Sequence, residues 1–271
     1  MDINRRSLLK NFGFLGLGVC LCGCRAAPVT GRRQLMLMPE GKEIALGDQA
    51  FQETISTEPL SQNTRLSNLV NRVGRRIADV ASRNDYQWEF RLISSQTQNA
   101  FCLPGGKVAI YEGILPVCED EAGVAVVMSH EIAHALARHG GERMSQNMAV
   151  DGAKMVAEKL VGSYAPDRKD VLMQAYGVGS KYGVLLPYSR KQESEADHIG
   201  ITLMAKAGYD PNVAPSFWTR FGSQKGQGQP EFMSTHPADE RRAKDLVALL
   251  DEANVLYSQA PKKFGRGETV A

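Results

Sequence analysis

Between Val126 and Glu142 the chain reads VVMSHEIAHALARHGGE, and three of its five histidines fall in this stretch. His130 and His134 are four residues apart. On a helix they lie one turn from each other on one face, where both can reach a single cation. Glu131 is turned by about 100° from His130, so it flanks such a cation without being forced to bind it. This HExxH spacing suits zinc-assisted hydrolysis: two imidazoles hold the metal and the carboxylate handles the proton of water. A pair of core histidines is the plainer alternative, but an apolar helix accepts buried imidazoles only when something pairs with them. His139 sits half a turn away from His130 if the helix continues. It is expected to face elsewhere, as a surface histidine near a helix C-terminus. The longer pattern HExxHxxGxxH is not met, because Ala137 and Gly140 stand where it needs Gly and His.

A catalytic zinc has three protein ligands and an open position. The third ligand is sought in YSRKQESEADHIG, residues 188–200. Glu193 and Asp197 share a helix face with Gly200 and Met204, while Glu195 points roughly opposite. Glu193 can bind the metal, and Asp197 can accept the free N–H of a ligand histidine and so fix its tautomer. A solvated charged turn is the competing reading of the same residues. His236, in STHP, has by itself the character of a loop histidine before a proline.

The elements around these residues follow from periodicity. Residues 41–82 read as helical, with apolar positions at 66, 69, 70, 73, 77 and 80. QWEFRLIS alternates as a strand does, and NAFCLPGGKVAIYEGIL has two apolar runs around Pro104-Gly105-Gly106, a hairpin signal. The metal helix is expected to open at the acids 119–121, to be buried, and to break at Gly140-Gly141. Helices are expected over about 142–162 and 167–181, from near Pro187 to Lys206, and in PNVAPSFWTRF; 222–230 reads as a flexible loop and a last amphipathic helix follows.

Three separated motifs, HExxH, ExxxD and STHP with an arginine six residues past its histidine, resemble one family. It is the membrane-associated zinc metallopeptidases that include HtpX-like, CaaX prenyl endopeptidase-like, BepA-like and mitochondrial Oma-type proteases. PVTGRRQLML, NAFCLPGGKVAIYEGIL and YSRKQESEAD are similar to the Oma/BepA-type branch, and the likeness covers most of residues 28–245. Cys102 stands where the hairpin usually has Ala. The resemblance implies one zinc ion held by His130, His134 and Glu193, with Glu131 as general base and Asp197 behind the ligands. It places His236 and Arg242 near the active site, where either could stabilise the oxyanion, or His236 could plug the zinc in a latent enzyme. It implies an α+β, predominantly helical zincin-like fold with a small sheet and hairpin packed on the metal helix. The edge of the hairpin before the metal helix could pair with an extended peptide, which favours unfolded segments; a tethered protease of this kind fits quality control of misfolded envelope proteins, with envelope assembly machinery as an expected partner. A lipid-anchored chaperone using the same groove is the rival reading.

With 271 residues, 43% hydrophobic and 23% charged, the chain has room for a sizeable core. A formal charge of +2 is too small to argue for nucleic acid or an acidic partner, and no nucleic-acid-binding motif is present, so no nucleic acid is expected as a partner. Residues 1–23 read as an export signal with paired arginines, Arg5 and Arg6, before an apolar run too short to span a bilayer comfortably. LCGC makes Cys24 the expected lipidated residue, although Cys22 departs from the small residue usual there. The expected organisation is then a lipidated cysteine and extended leader over 24–40, a metallopeptidase domain over 41–258 and a frayed tail over 259–271. The expected location is the periplasmic side of a bacterial membrane, with Arg25 favouring the outer one. Cys102 and Cys118 could pair in an oxidising compartment or be two small buried residues.

Overall fold

A computed structural model describes residues 24–159, 188–223, 231–236 and 240–270. The export signal, the expected helix over 167–181 and most of the 222–230 loop lie outside them. The described elements are β1 (Cys24–Ala26), β2 (Arg33–Leu35), α1 (Glu40–Thr57), α2 (Thr64–Val80), β3 (Glu89–Ile93), β4 (Ala100–Leu103) and β5 (Lys107–Tyr111). After a short helical turn come α3 (Glu121–Leu136), α4 (His139–Lys159), α5 (Arg190–Lys206), α6 (Val213–Ser223), α7 (Glu231–Thr235), α8 (Glu240–Ala248) and α9 (Leu250–Gln259). The architecture is α+β and mostly helical, as the sequence leads one to expect.

The sheet has the order β3-β5-β4, with β5 antiparallel to β4 and parallel to β3. The β4–β5 turn is the Pro104-Gly105-Gly106 signal. Gly105 and Gly106 have φ of +87° and +86°, which other residues rarely adopt. A Cβ on Gly106 would also lie 2.7 Å from the Trp88 ring. Side chains of β4 and β5 are buried on both faces. Ala100, Cys102, Val108 and Ile110 enter the main core with α2, α3 and α5, while Phe101, Leu103 and Ala109 meet Phe51 of α1 on the other side. The alternation is the period-2 pleat of a covered sheet. A fully buried side chain such as Phe51 contributes about 1.5–3 kcal/mol of transfer free energy.

α3 lies at the centre. Asp120 caps it by accepting from the Gly123 N–H at 2.9 Å. Its small residues allow α5 to approach closely: a Cβ on Gly200 would sit 3.2 Å from the His130 Cα. α5 starts at Ser189 with a capping box completed by Gln192.

Three expectations differ from the structure. The break after α3 comes at Arg138, whose φ is +54°, and Gly140 and Gly141 lie inside α4. The left-handed turn is held by Glu43 of α1, which accepts from Arg138 Nε at 3.0 Å and Nη2 at 2.6 Å. Residues 24–35, expected in an extended leader, form a two-stranded antiparallel hairpin with Cys24 opposite Leu35. The Gln34 amide donates to the Ala137 carbonyl at 2.7 Å, and Ala27 is buried. Residues 259–271, expected to fray, pack their described part against the start of α3. Val270 N donates to Glu119 O at 3.0 Å and Arg266 Nε to Asp120 Oδ2 at 2.7 Å. Both terminal segments look polar in isolation, and their order comes from carboxylates and carbonyls far away in the chain.

Candidate active site

Four side chains from three segments converge. His130 Nε2 is 3.1 Å from His134 Nε2 and 3.3 Å from His236 Nδ1. Glu193 Oε1 is 3.1 Å from His236 Nδ1 and 3.4 Å from His134 Nε2. One ligand atom from each of His130, His134, Glu193 and His236 lies within 4.8 Å of the others, and all four residues are buried.

The outer partners fix which nitrogens carry protons. Asp197 Oδ1 lies 3.0 Å from His130 Nδ1. A carboxylate accepts, so the His130 proton sits on Nδ1 and the Nε2 lone pair faces the cluster. The Asp197 carboxylate is gripped by Arg242, with Nε at 2.8 Å from Oδ2 and Nη2 at 2.7 Å from Oδ1. Arg242 Nη1 stands 2.8 Å from Glu193 Oε2, so the other oxygen of Glu193 points into the cluster. The guanidinium rests on the Trp218 ring at 3.6 Å. It therefore faces the two carboxylates behind the cluster. Lone pairs converging from imidazoles and a carboxylate at these distances repel one another unless a cation lies between them. The donor set, three nitrogens and one oxygen in a buried site, fits zinc.

The two carboxylates behind the cluster are held ionised, in agreement with this arrangement. Burial pushes the Glu193 carboxyl up, but His236 and Arg242 outweigh it and hold the carboxyl well below the usual range. Asp197 is lowered in the same way, against burial, by Arg242 and His130. Burial lowers His130, yet hydrogen bonds with Asp197 and Glu193 outweigh it and raise its pKa to about 9, so without a cation its Nε2 also holds a proton, which a bound cation would displace. Burial keeps His134 well below its ordinary value.

Glu131 lies outside the ligand cluster. Its Oε1 is buried without a hydrogen bond, 3.4 Å from His236 Nε2. Burial raises its carboxyl pKa, opposed by His236 and His130. A carboxylate in that state suits proton transfer.

His139 is not a surface histidine. It is fully buried, with Nδ1 2.9 Å from His134 Nδ1 and Nε2 2.8 Å from Glu195 Oε2. The helix break at Arg138 swings it back toward His134, where an uninterrupted helix would carry it away. Burial lowers its pKa, opposed by the hydrogen bond with Glu195. Glu195 is likewise buried, turned toward His139, Thr30 and Arg32. Sequence reasoning missed both, along with Tyr188, whose ring lies 4.0 Å from that of His134. His198 lies apart from the cluster, 3.8 Å from Glu252. Cys102 and Cys118 are both buried free thiols, the small-residue alternative of the sequence reading.

The profile of peptidase family M48 matches residues 64–250. The mitochondrial metalloendopeptidase OMA1 of Schizosaccharomyces pombe is 37% identical over 235 residues, covering 84% of this chain and 67% of that one. OMA1 of Saccharomyces cerevisiae is 30% identical over 254 residues, 86% of this chain and 71% of that one. A putative beta-barrel assembly-enhancing protease of Vibrio cholerae is 32% identical over 211 residues, 75% of this chain and 43% of that one. A buried cluster that could hold one cation, with the Glu131 carboxylate beside it, agrees with this likeness. The chain accordingly belongs to peptidase family M48 and is a zinc metalloendopeptidase.

Proposed function

We propose that the enzyme cleaves unfolded or misfolded proteins of a bacterial envelope and is latent in the conformation described here. The observation that carries latency is His236. Its Nδ1 joins His130, His134 and Glu193 in one ligand cluster, and a catalytic zinc needs three protein ligands and an open position. His130, His134 and Glu193 are the ligands retained in the active state, and His236 is the one that leaves.

Zinc held by His130, His134 and Glu193 would supply a Lewis acid that lowers the pKa of water toward about 7. Glu131 takes the proton of the attacking water and returns it to the leaving amine. Asp197 holds the Nδ1 proton of His130, and Arg242 orients both Asp197 and Glu193. Its partners make Arg242 a positioning charge more than an oxyanion donor.

β4 is an edge strand of the sheet, and an extended peptide can add to such an edge through backbone hydrogen bonds. Phe232 N donates to Gln98 O at 3.1 Å, next to the start of β4. The segment bearing His236 thus leans on the edge proposed for substrate. Backbone recognition gives weak sequence preference and favours unfolded chains.

The proposed location is the periplasmic face of a membrane, with lipid on Cys24. No helix among the described residues is long and apolar enough to cross a membrane. The export-type N-terminus supports this reading, while the relatives divide between mitochondrial proteins and a protein named for beta-barrel assembly.

The test is casein cleavage by the parent protein, Glu131→Gln and His236→Ala, with and without chelator. Glu131→Gln is expected to keep zinc and lose about 10²–10⁴ in turnover. His236→Ala is expected to raise turnover. A fall in the His236→Ala rate would assign His236 to transition-state stabilisation and end the latency proposal.

A further inference from the structure

Each histidine of the HExxH motif has a second nitrogen turned away from the cluster. That of His130 meets Asp197, and that of His134 meets His139. We infer that His139 is the positioning residue for His134, and that the N-terminal hairpin holds it there through Glu195. The inference rests on the reading of His134 as a zinc ligand.

The argument is one of hydrogen accounting. Glu195 Oε2 lies 2.8 Å from His139 Nε2 and can only accept, so His139 carries a proton on Nε2. Between His139 Nδ1 and His134 Nδ1, 2.9 Å apart, one hydrogen must lie, since two lone pairs or two N–H groups would repel. Because the His134 Nε2 lone pair must face the cation, that hydrogen belongs to His134 Nδ1. His134 Nδ1 donates to His139 Nδ1, and the Nε2 lone pair of His134 is left facing the cluster. The opposite assignment would aim an N–H at the other ligands and exclude a metal.

Glu195 is in turn fixed from outside the metal helix. It accepts from the Thr30 hydroxyl and from Arg32 Nε at 2.8 Å. Arg32 also grips Glu142 with two parallel bonds, at 2.8 and 2.7 Å, and Glu142 accepts from Gln192 Nε2 at 2.9 Å. Thr30 and Arg32 both lie in the connection between β1 and β2. The hairpin is therefore part of the metal centre's support: its turn sets Glu195, Glu195 sets His139, and His139 sets His134. An apolar residue at 139 could fill the same space but could not accept the His134 proton.

Zinc affinity of the detergent-solubilised full chain tests this, measured by competition with a chromophoric chelator. Thermal melting of the zinc-free protein serves as the control for folding. His139→Leu is expected to weaken zinc binding about 10–100-fold, the range for losing such an outer partner. His139→Asn places an amide oxygen near the Nδ1 position and is expected to recover affinity to within about threefold of the parent. Arg32→Ala is expected to weaken binding by roughly three- to tenfold through Glu195. Affinity of His139→Leu equal to that of the parent would overturn the inference. So would His139→Asn binding as weakly as His139→Leu, which would reduce the role to packing. If His139→Leu does not fold, unchanged affinity in both His139→Asn and Arg32→Ala still refutes the hairpin's part. A parent protein that binds no zinc would instead remove the reading of His134 as a ligand.

Discussion

Gly200→Ala separates stability from metal binding, because the two respond to different consequences of one methyl group. The new Cβ would lie 3.2 Å from both the Cα and N of His130 and 3.3 Å from the carbonyl carbon of Ser129. Carbon atoms rest about 3.5–4.0 Å apart, so α5 must withdraw from α3 by about 0.3–0.8 Å. These are backbone atoms of a buried helix and cannot rotate aside. Overpacking of this kind costs about 1–3 kcal/mol. Replacing Gly by Ala within a helix returns about 1 kcal/mol. The net destabilisation is about 0–2 kcal/mol, a fall in Tm of roughly 0–8 °C for a domain of this size. The metal site suffers more. Asp197 is one turn from Gly200, and its 3.0 Å contact with His130 Nδ1 would stretch beyond useful hydrogen-bond length. Zinc affinity should fall by about 10–100-fold, the usual effect of losing a partner behind a ligand. Chelator competition and thermal melting of the same preparation measure both quantities. A raised Tm with unchanged zinc affinity would show that α5 has slack against α3 and refute the reasoning.

Arg242→Met leaves Asp197 and Glu193 as buried carboxylates without their guanidinium. The chelator-treated protein should lose roughly 3–5 kcal/mol in urea unfolding, and an unchanged midpoint would deny the arginine its compensating role. Glu121 bears on acid stability. Although burial raises its carboxyl, hydrogen bonds from Arg72, Tyr209 and the Glu268 N–H lower it below the ordinary value. Its folded pKa is depressed, so its contribution is complete above the unfolded value near 4.3 and disappears as pH falls through the folded one. Glu121→Gln should therefore flatten the stability loss below about pH 4, and a parallel acid limb would count against this assignment. Burial pushes the Cys102 and Cys118 thiols up. Neither should react with an aromatic disulfide reagent in the folded protein, and both should react in denaturant, as located by mass spectrometry. Labelling of native Cys102 would mean that β4 opens.

Some of the site is local chemistry, and local chemistry is legible in a sequence. The four-residue spacing of His130 and His134 puts them on one helix face whatever surrounds the helix. The same holds for Glu193 and Asp197, and Asp120 and Pro104-Gly105-Gly106 mark a cap and a turn by their own residue types. The resemblance of the separated motifs to a protease family brought His236 and Arg242 into consideration, which spacing could not. What the sequence concealed depends on partners distant in the chain. Arg138 takes a left-handed backbone that its type disfavours, held there by Glu43, and this alone turns His139 inward. Glu195 looks like one more solvated acid until Arg32 and Thr30 arrive from a segment that reads as an extended leader. Periodicity gives the direction of a side chain only while the helix continues. Where it breaks, and which charge meets which, the tertiary structure decides: burying a charge or bending a backbone is tolerated only when the rest of the fold delivers the matching group.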